Sequence, residues 1–315
     1  MQNSLEHIGN GVNDDSTYIQ KAIDYIASLY NTKASIVNTI DFSAGIYLLE
    51  QQVKLYNFVK FNSVSNVIIR SKVSNKATLL LSSSDLTIED KNALSKYQGK
   101  WISGEKGGFT LEYVGEKTGN DIGIQINEES NKGGIQYFTA WQNFGFIVVK
   151  GFTKGLYLYM KNLYLNAFDN LIFTKCTRCF ETSVQIENAG EKIEFNNCIF
   201  GDSEEVGLVQ SSDLELVFRE CSFDFVGKGI RAVAAGVVAK FSQCHAEGIG
   251  FTNQLVEFGY NPYLFCTDAN ESVDVRVFVD ECDCMSIRSE LFKSTKAKAM
   301  KLFLNSMTTK RKSRI

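Results

Sequence analysis

The sequence has little proline, no long apolar run and almost no excess charge. Proline occurs once among 315 residues; because proline removes a backbone donor, its scarcity favours regular strand pairing. The longest apolar runs, Ala232–Ala235 and Gly236–Ala239, are far too short to cross a bilayer, so we expect no membrane insertion. A net charge of −3 argues against a general nucleic-acid binder. Residues 1–15 lack the apolar stretch of a signal peptide, which predicts synthesis in the cytoplasm without one.

The eight cysteines lack the spacing of an ordinary metal site. Cys176 and Cys179 form a Cys-x-x-Cys pair with no matching second pair, and Cys282 and Cys284 are too close together for a zinc knuckle. Without a signal peptide, reduced thiols are the default. We therefore expect the recurring cysteines to stack as small apolar side chains inside the fold. Disulfides are the alternative, and no metal or cofactor is predicted.

A repeat in the middle of the chain organises the sequence. The pattern is Phe, any residue, a polar residue, Cys, any residue and an apolar residue, and it begins at Phe195, Phe218 and Phe241, with a step of 23 residues. Weaker copies begin at Trp141 and Phe168, and a last copy begins at residue 279. A period of this length indicates a repeat architecture.

Each repeat has the pattern of short strands and not of helices. Its apolar residues mostly alternate, as in strands. A second strand is predicted to open on a small or compact residue in each copy: Gly155-Leu156, Cys179-Phe180, Gly207-Leu208, Gly229-Ile230 and Gly250-Phe251. Leucine-rich repeats are the rival at this period, but their Leu-x-x-Leu-x-Leu signature is missing. The pattern predicts the coils of a parallel β-helix, which bury their apolar faces only when stacked.

A helix is predicted before the first strands. Asp15, Ser16 and Thr17 are good N-cap residues, and Thr17 with Gln20 has the spacing of a capping box. Apolar residues at 19, 22, 23, 26, 27 and 30 then form one face of a helix. Such a helix can cover the open end of a solenoid, which would otherwise expose unpaired strands.

Two stretches resemble the pectate-lyase-like superfamily of right-handed β-helices. They are residues 11–24 (GVNDDSTYIQKAID) and 42–47 (FSAGIY), with Ser43 where the family often has proline. The resemblance implies an all-β fold: a right-handed, single-stranded parallel β-helix with an N-terminal capping α-helix. The expected domains are a cap at 1–39, the β-helix at 40–290, and a terminal strand with a solvated basic tail at 291–315. The family includes hydrolases, lyases, epimerases and bacteriophage tailspikes, so the resemblance leaves the reaction open.

Among these classes, the chain looks most like a phage tailspike depolymerase. The absence of a signal peptide and the unpaired cysteines suit assembly in a cytoplasm. The resemblance implies a homotrimer in the phage tail, possible contacts with other tail proteins, and a bacterial capsular or O-antigen polysaccharide as partner. No nucleic-acid partner is expected. A receptor-binding or structural β-helix without catalysis stays open, and so does an enzyme that modifies exopolysaccharide inside the cell.

The repeat also places candidate catalytic residues. One coil separates Asp224 from Glu247, and adjacent coils lie about 4.8 Å apart, so their carboxylates should be neighbours on the outer face. Neighbouring carboxylates push their pKa values apart, which gives the acid and the base or nucleophile of glycoside hydrolysis. His245 is a candidate proton carrier.

Three further residues are candidates for binding substrate. Arg219 could bind a substrate carboxylate, and Asp202 and Glu204 lie in the turn one coil below. A polar surface ladder without catalysis is the alternative interpretation, and a lyase using Arg219 and His245 is another. Calcium is not favoured, since no dense Asp cluster spans several coils.

Overall fold

The structure is a computed structural model. It describes residues 8–31, 39–56, 59–63, 65–82, 99–100, 102–103, 108–129, 142–161, 163, 165–187, 189–251, 262–268, 274–285, 291–295 and 300–310. The predicted fold class is confirmed: parallel strands stack into the sheets of a right-handed β-helix, with one helix near the N-terminus.

Three long sheets form the faces of the solenoid. The eleven-stranded sheet contains β1 (Asn10–Asp14), β3 (Gly45–Leu49), β6 (Val67–Ser71), β10 (Phe109–Tyr113), β13 (Ile147–Lys150), β16 (Leu171–Thr174), β19 (Ile199–Gly201), β22 (Ser222–Asp224), β25 (His245–Glu247), β28 (Cys282–Met285) and β31 (Met307–Lys310). The nine-stranded sheet contains β4 (Val53–Leu55), β7 (Ala77–Leu81), β11 (Ile122–Ile126), β14 (Lys154–Leu158), β17 (Arg178–Thr182), β20 (Glu205–Val209), β23 (Lys228–Ala232), β26 (Phe265–Thr267) and β29 (Phe292–Ser294).

The remaining strands form the third face and a small sheet. The eight-stranded sheet contains β8 (Gly99–Lys100), β12 (Gln142–Phe144), β15 (Asn166–Asp169), β18 (Ile193–Asn196), β21 (Glu215–Arg219), β24 (Val238–Ser242), β27 (Val275–Asp280) and β30 (Met300–Leu304). A three-stranded sheet contains β2 (Thr39–Phe42), β5 (Lys60–Ser63) and β9 (Ile102–Ser103). From β18 to β25, each coil contributes one strand to each long sheet in the order eight, eleven, nine.

The helix α1 (Ser16–Asn31) begins where the sequence predicts it, but its N-terminus is held differently. The Asp15 carbonyl accepts the backbone amides of Tyr18 and Ile19. The side chain of Gln20 does not close a capping box. It bonds both backbone groups of Lys54, at 2.8 and 3.1 Å, and so fastens the helix to β4.

The register of the central repeat is confirmed. Phe195 pairs with Phe218, and Phe218 with Phe241. Their rings stack in the core with centroids 5.2 and 5.1 Å apart. All eight cysteines are buried and free, and the thiols of Cys198 and Cys221 each donate to a carbonyl at 3.2 Å. The expected column of small buried thiols is therefore present.

Three details of the predicted repeat are wrong. Phe144, and not Trp141, occupies the first position of its copy, because it pairs with Phe168; Trp141 lies outside the described residues. Gly207, and not Leu208, pairs with Phe180. The Phe180 ring lies so close that a β-carbon at residue 207 would be 2.3 Å from it, which explains the glycine at this position. The place predicted for Gly250-Phe251 is taken by β26, whose Phe265 pairs with Ile230.

Strand pairing continues through the C-terminal region. The strands β29, β30 and β31 pair in parallel with β26, β27 and β28. Residues 308–310 are therefore strand and not part of a solvated tail, because their backbone groups extend the ladder begun by residues 283–285. The rest of the predicted tail lies outside the described residues. The domain boundaries at residues 39 and 290 stay predictions, although parallel pairing continues across residue 290.

Candidate functional site

Asp224, His245 and Glu247 lie together on the outer face of the eleven-stranded sheet. Asp224 pairs with Glu247 across β22 and β25, one coil apart. The Nε2 atom of His245 lies 4.0 Å from Asp224 Oδ1 and 3.8 Å from Glu247 Oε2. The imidazole therefore stands between two carboxylates, and about a third of each of the three side chains is exposed.

One oxygen of the Asp224 carboxyl is enclosed by the protein. Its Oδ2 accepts a hydrogen bond from the Ser222 hydroxyl at 2.6 Å. Its Oδ1 is out of contact with solvent and has no hydrogen-bond partner. Burial raises the pKa of Asp224 and the nearby Glu247 charge raises it further, while Ser222 and His245 act in the opposite direction. Asp224 is thus suited to hold a proton that an exposed aspartate would have lost.

Small and apolar residues continue the face on one side of the cluster. Gly201 pairs with Asp224, and Ile199 pairs with Ser222. A β-carbon at Gly201 would meet the Asp224 carbonyl oxygen at 3.5 Å, an ordinary van der Waals contact, so a small side chain could be accommodated there. On the other side, Asp283 pairs with His245 and adds an exposed carboxylate.

The predicted substrate-binding residues occupy different places. Asp202 lies beside Asp224: its backbone amide donates to the Asp224 carbonyl at 3.0 Å. Glu204 is exposed at the end of the same turn, and its carbonyl accepts the amide of Lys228 at 2.9 Å. Arg219 lies on the eight-stranded sheet, and its guanidinium is 3.2 Å from Glu194 Oε1.

The outer face of the nine-stranded sheet carries a second group of charged residues, which sequence reasoning missed. We call it the charge ladder: Lys154, Glu181, Arg178, Glu205, Arg231 and Asp268, in order of contact. Arg178 contacts both Glu181 and Glu205, the latter at 2.7 Å. Glu181 and Glu205 are only 6% and 8% exposed. Without their basic partners, these buried carboxylates would destabilise the fold.

A cavity opens at the C-terminal end of this ladder. Its volume is ≈ 410 Å³, and its walls come from three successive strands, β23, β26 and β29, and the residues beside them. The lining residues are Lys228, Arg231, Tyr263, Cys266, Asp268, Lys293 and Thr295. Three of these residues are basic and one is acidic, so the lining itself has an excess of positive charge, while Glu205 contacts Arg231 and Tyr263 from beneath it.

The sequence contains a signal for the charge ladder at the start of successive strands of the nine-stranded sheet. Their first residues are Lys154, Arg178, Glu205 and Lys228, and the structure pairs them in one column. Charge at the same place of four successive repeats is the signal. An alignment of the repeats on the small residues that follow, such as Gly155 and Gly229, does not reveal this column of charge.

No group of three or more His, Cys, Asp or Glu side chains in the described ranges has the arrangement to hold a metal ion. The part of the chain that the structure describes contains no helix long and apolar enough to cross a membrane.

Two bacteriophage tailspikes have a similar structure. The enzymatically active domain of tailspike protein 4 of bacteriophage CBA120 matches 92% of this chain and 42% of its own, with a TM-score of 0.53 and 11% identity. The gp42 tailspike of Acinetobacter phage vb_AbaP_AS12 matches 97% of this chain and 61% of its own, with a TM-score of 0.54 and 10% identity. The chain has the β-helix fold of phage tailspikes.

The similarity is one of fold and not of sequence. Neither the family models nor the curated protein sequences give a match to this chain. The chain spans less than two thirds of the length of both tailspikes.

Proposed function

We propose that this protein is a phage tailspike-like depolymerase that binds a bacterial capsular or O-antigen polysaccharide and hydrolyses it. The observation that carries the proposal is the cluster of Asp224, His245 and Glu247 on one sheet face. The tailspike fold supports the substrate class, since one of the two similar tailspikes is described as enzymatically active.

Asp224 serves as the acid. Burial raises its pKa, which favours the protonated form that a general acid needs. Because Oδ1 is out of solvent contact, the proton leaves through His245, whose Nε2 is 4.0 Å away. A shift of about 1 Å brings the two atoms within hydrogen-bond distance.

Glu247 serves as the second carboxylate. The Glu247 carboxylate either takes a proton from a water molecule whose oxygen bonds the anomeric carbon, or bonds that carbon itself, in which case water then hydrolyses the covalent glycosyl intermediate. The glycosidic carbon–oxygen bond breaks, and the leaving oxygen takes the proton that Asp224 supplies through His245. Asp202 and Glu204, in the turn beside Asp224 and Lys228, are placed to contact the sugars next to the cleaved bond.

The reaction is tested on a panel of capsular and O-antigen polysaccharides. We expect new reducing ends without the ultraviolet absorbance of an unsaturated product. Absorbance that grows with the reducing ends means a lyase and directs attention to His245 and Arg219. Binding without cleavage means a receptor-binding protein. Either of the last two results contradicts the hydrolase.

We further propose a homotrimer located in the virion tail, which acts at the bacterial surface and contacts other tail proteins. The proposal rests on the tailspike fold. Sedimentation equilibrium of the purified chain is expected to give three times the 35.3 kDa of one copy. A single copy at every concentration would contradict the trimer and leave the hydrolase proposal untouched.

A further inference from the structure

Two cations of the cavity on the nine-stranded sheet, Arg231 and Lys293, have no carboxylate of the described residues closer than 3.5 Å. In the part of the charge ladder away from the cavity the ion pairs are short: Lys154 lies 2.9 Å from Glu181, and Arg178 lies 2.7 Å from Glu205. At the cavity the contacts lengthen: Arg231 lies 3.5 Å from Glu205 and 3.8 Å from Asp268. The anionic partners are thus more loosely held where the ladder meets the cavity.

Lys293 adds a cation at the same place. It faces outward in the column Arg231, Cys266, Lys293, which crosses three strands. No carboxylate of the described residues lies within ion-pair distance of its ammonium group. Arg231 and Lys293 therefore stand about 9–10 Å apart along the sheet, two strand spacings, on either side of the small side chain of Cys266.

The residues between the two cations are neutral. Burial raises the pKa of the Cys266 thiol to about 11, so the thiol keeps its proton and does not offset the cations. Tyr263 is 6% exposed and donates to Glu205 Oε1 at 3.5 Å. Burial and the Glu205 charge raise its pKa, so its ring is a neutral wall of the cavity.

We propose that this cavity binds an acidic sugar unit, with the sugar carboxylate between Arg231 and Lys293. The volume of ≈ 410 Å³ is in the range of small-molecule sites and larger than a bare anion needs. Asp268 offers acceptors for sugar hydroxyls, which a free anion would not use. Thr295 Oγ1 donates to the Thr267 carbonyl at 3.2 Å, so its oxygen can accept a further hydroxyl.

The inference rests on the proposed function and specifies its substrate as an acidic polysaccharide. Only the turn 225–227 separates Asp224 at the end of β22 from Lys228 at the start of β23. Four residues of chain span at most about 14 Å. One polysaccharide molecule can therefore place an acidic unit in the cavity and a glycosidic bond near Asp224.

The test is a ligand-observed NMR titration with glucuronate, glucose and inorganic phosphate. Lys293→Gln is the variant, because replacing Arg231 would also remove a partner of the buried Glu205. Lys301→Gln is the matched control: Lys301 is an exposed lysine on β30, which belongs to the eight-stranded sheet, and it is paired with Asp274 at 3.2 Å. Thermal unfolding checks that both variants fold.

Glucuronate is expected to bind and glucose not to bind. In Lys293→Gln the affinity for glucuronate should fall about tenfold, the value of one charge-assisted hydrogen bond, and in Lys301→Gln it should not change. Equal binding of glucose, an unchanged affinity in Lys293→Gln, or phosphate binding as tight as glucuronate would each overturn the acidic-sugar assignment.

Asp224→Asn separates the two proposals. Glucuronate binding should be the same in this variant as in the wild type. If the wild type binds glucuronate but cleaves no polysaccharide, the hydrolase proposal is wrong and the acidic-sugar site is supported. If it cleaves a polysaccharide but does not bind glucuronate, the acidic-sugar site is wrong and the hydrolase proposal is supported.

Discussion

At the scale of single residues, position in the coil decides whether a side chain is core or surface. Phe218 is fully buried, while Arg219, the next residue, is half exposed. This alternation is a property of the strand, so the sequence repeat alone predicts that Asp224 and Glu247 are neighbours. The place of the His245 ring between them depends on side-chain rotamers, which alternation does not determine.

Asp224→Asn should change how stability depends on pH. Burial makes the folded protein hold the Asp224 proton more tightly than the unfolded chain does. The favourable contribution is therefore complete below the ordinary pKa of 3.8 and is lost as pH rises through the higher folded value. We expect Asp224→Asn to be more stable than the wild type near neutral pH, with the difference shrinking towards pH 3.8.

Urea unfolding across this pH range measures the effect on stability. Glu215→Gln is the control, since Glu215 is in the same coil on another sheet and pairs with Lys240 at 2.9 Å. A wild type that gains stability relative to Asp224→Asn as pH rises would contradict the raised pKa.

The phenylalanine column gives a second residue-scale prediction. Phe218 is fully buried between Phe195 and Phe241, so Phe218→Ala should cost about 3–5 kcal/mol in the free energy of unfolding. Phe303 also stacks on a phenylalanine, with centroids 4.6 Å apart, but it is 46% exposed. If Phe303→Ala were equally destabilising in denaturant unfolding, burial would not be the cause.

At the scale of elements, the turns between the eight- and eleven-stranded sheets have a fixed backbone conformation. The polar residue at the third position of the repeat has a positive φ, from 50° to 57°, in Asn170, Asn197, Glu220, Gln243 and Glu281. Asparagine tolerates this left-handed region better than longer side chains do. The sequence pattern indicates a polar residue here, and the backbone conformation is its physical reason.

Glu220→Asn should therefore stabilise the protein. Asparagine already occupies the same turn position in two earlier coils, at Asn170 and Asn197. We expect a gain of about 0.5–1 kcal/mol in the free energy of unfolding, because asparagine lowers the cost of the left-handed conformation. Glu220→Val should have the opposite sign, since a β-branched residue is strained there. Denaturant midpoints of the two variants measure it, and a shift in the same direction for both would refute this account of the turn.

Where coils vary in length, element-level prediction fails. Between β25 and β26 the chain departs from the period of 23, and the sequence pattern placed a strand at Gly250 that the structure has at Phe265. The additional residues change the spacing, while β26 still pairs in parallel with β23. A periodic pattern predicts the regular coils well and cannot give the register across an insertion.

At the scale of the whole molecule, the two ends of the solenoid differ. Near the N-terminus, α1 packs its apolar face, including Ile19 and Ile23, on the core. On the last strand of the eight-stranded sheet, Leu302 and Leu304 pair with the buried residues Val277 and Val279 but are themselves 38% and 52% exposed. The stacked coils between them hold two separate surfaces on rigid sheets: the carboxylate–histidine cluster and the electropositive cavity.

The central claim is that the carboxylates of Asp224 and Glu247 cleave a polysaccharide. The most direct test is reducing-end release from a polysaccharide that the protein binds, measured for the wild type, Asp224→Asn, Glu247→Gln and the control Glu215→Gln. We expect each of the first two substitutions to lower the rate by about 10²-fold or more, the range for loss of general acid–base catalysis, with binding retained and Glu215→Gln unaffected. Undiminished release by Asp224→Asn and Glu247→Gln would contradict the account.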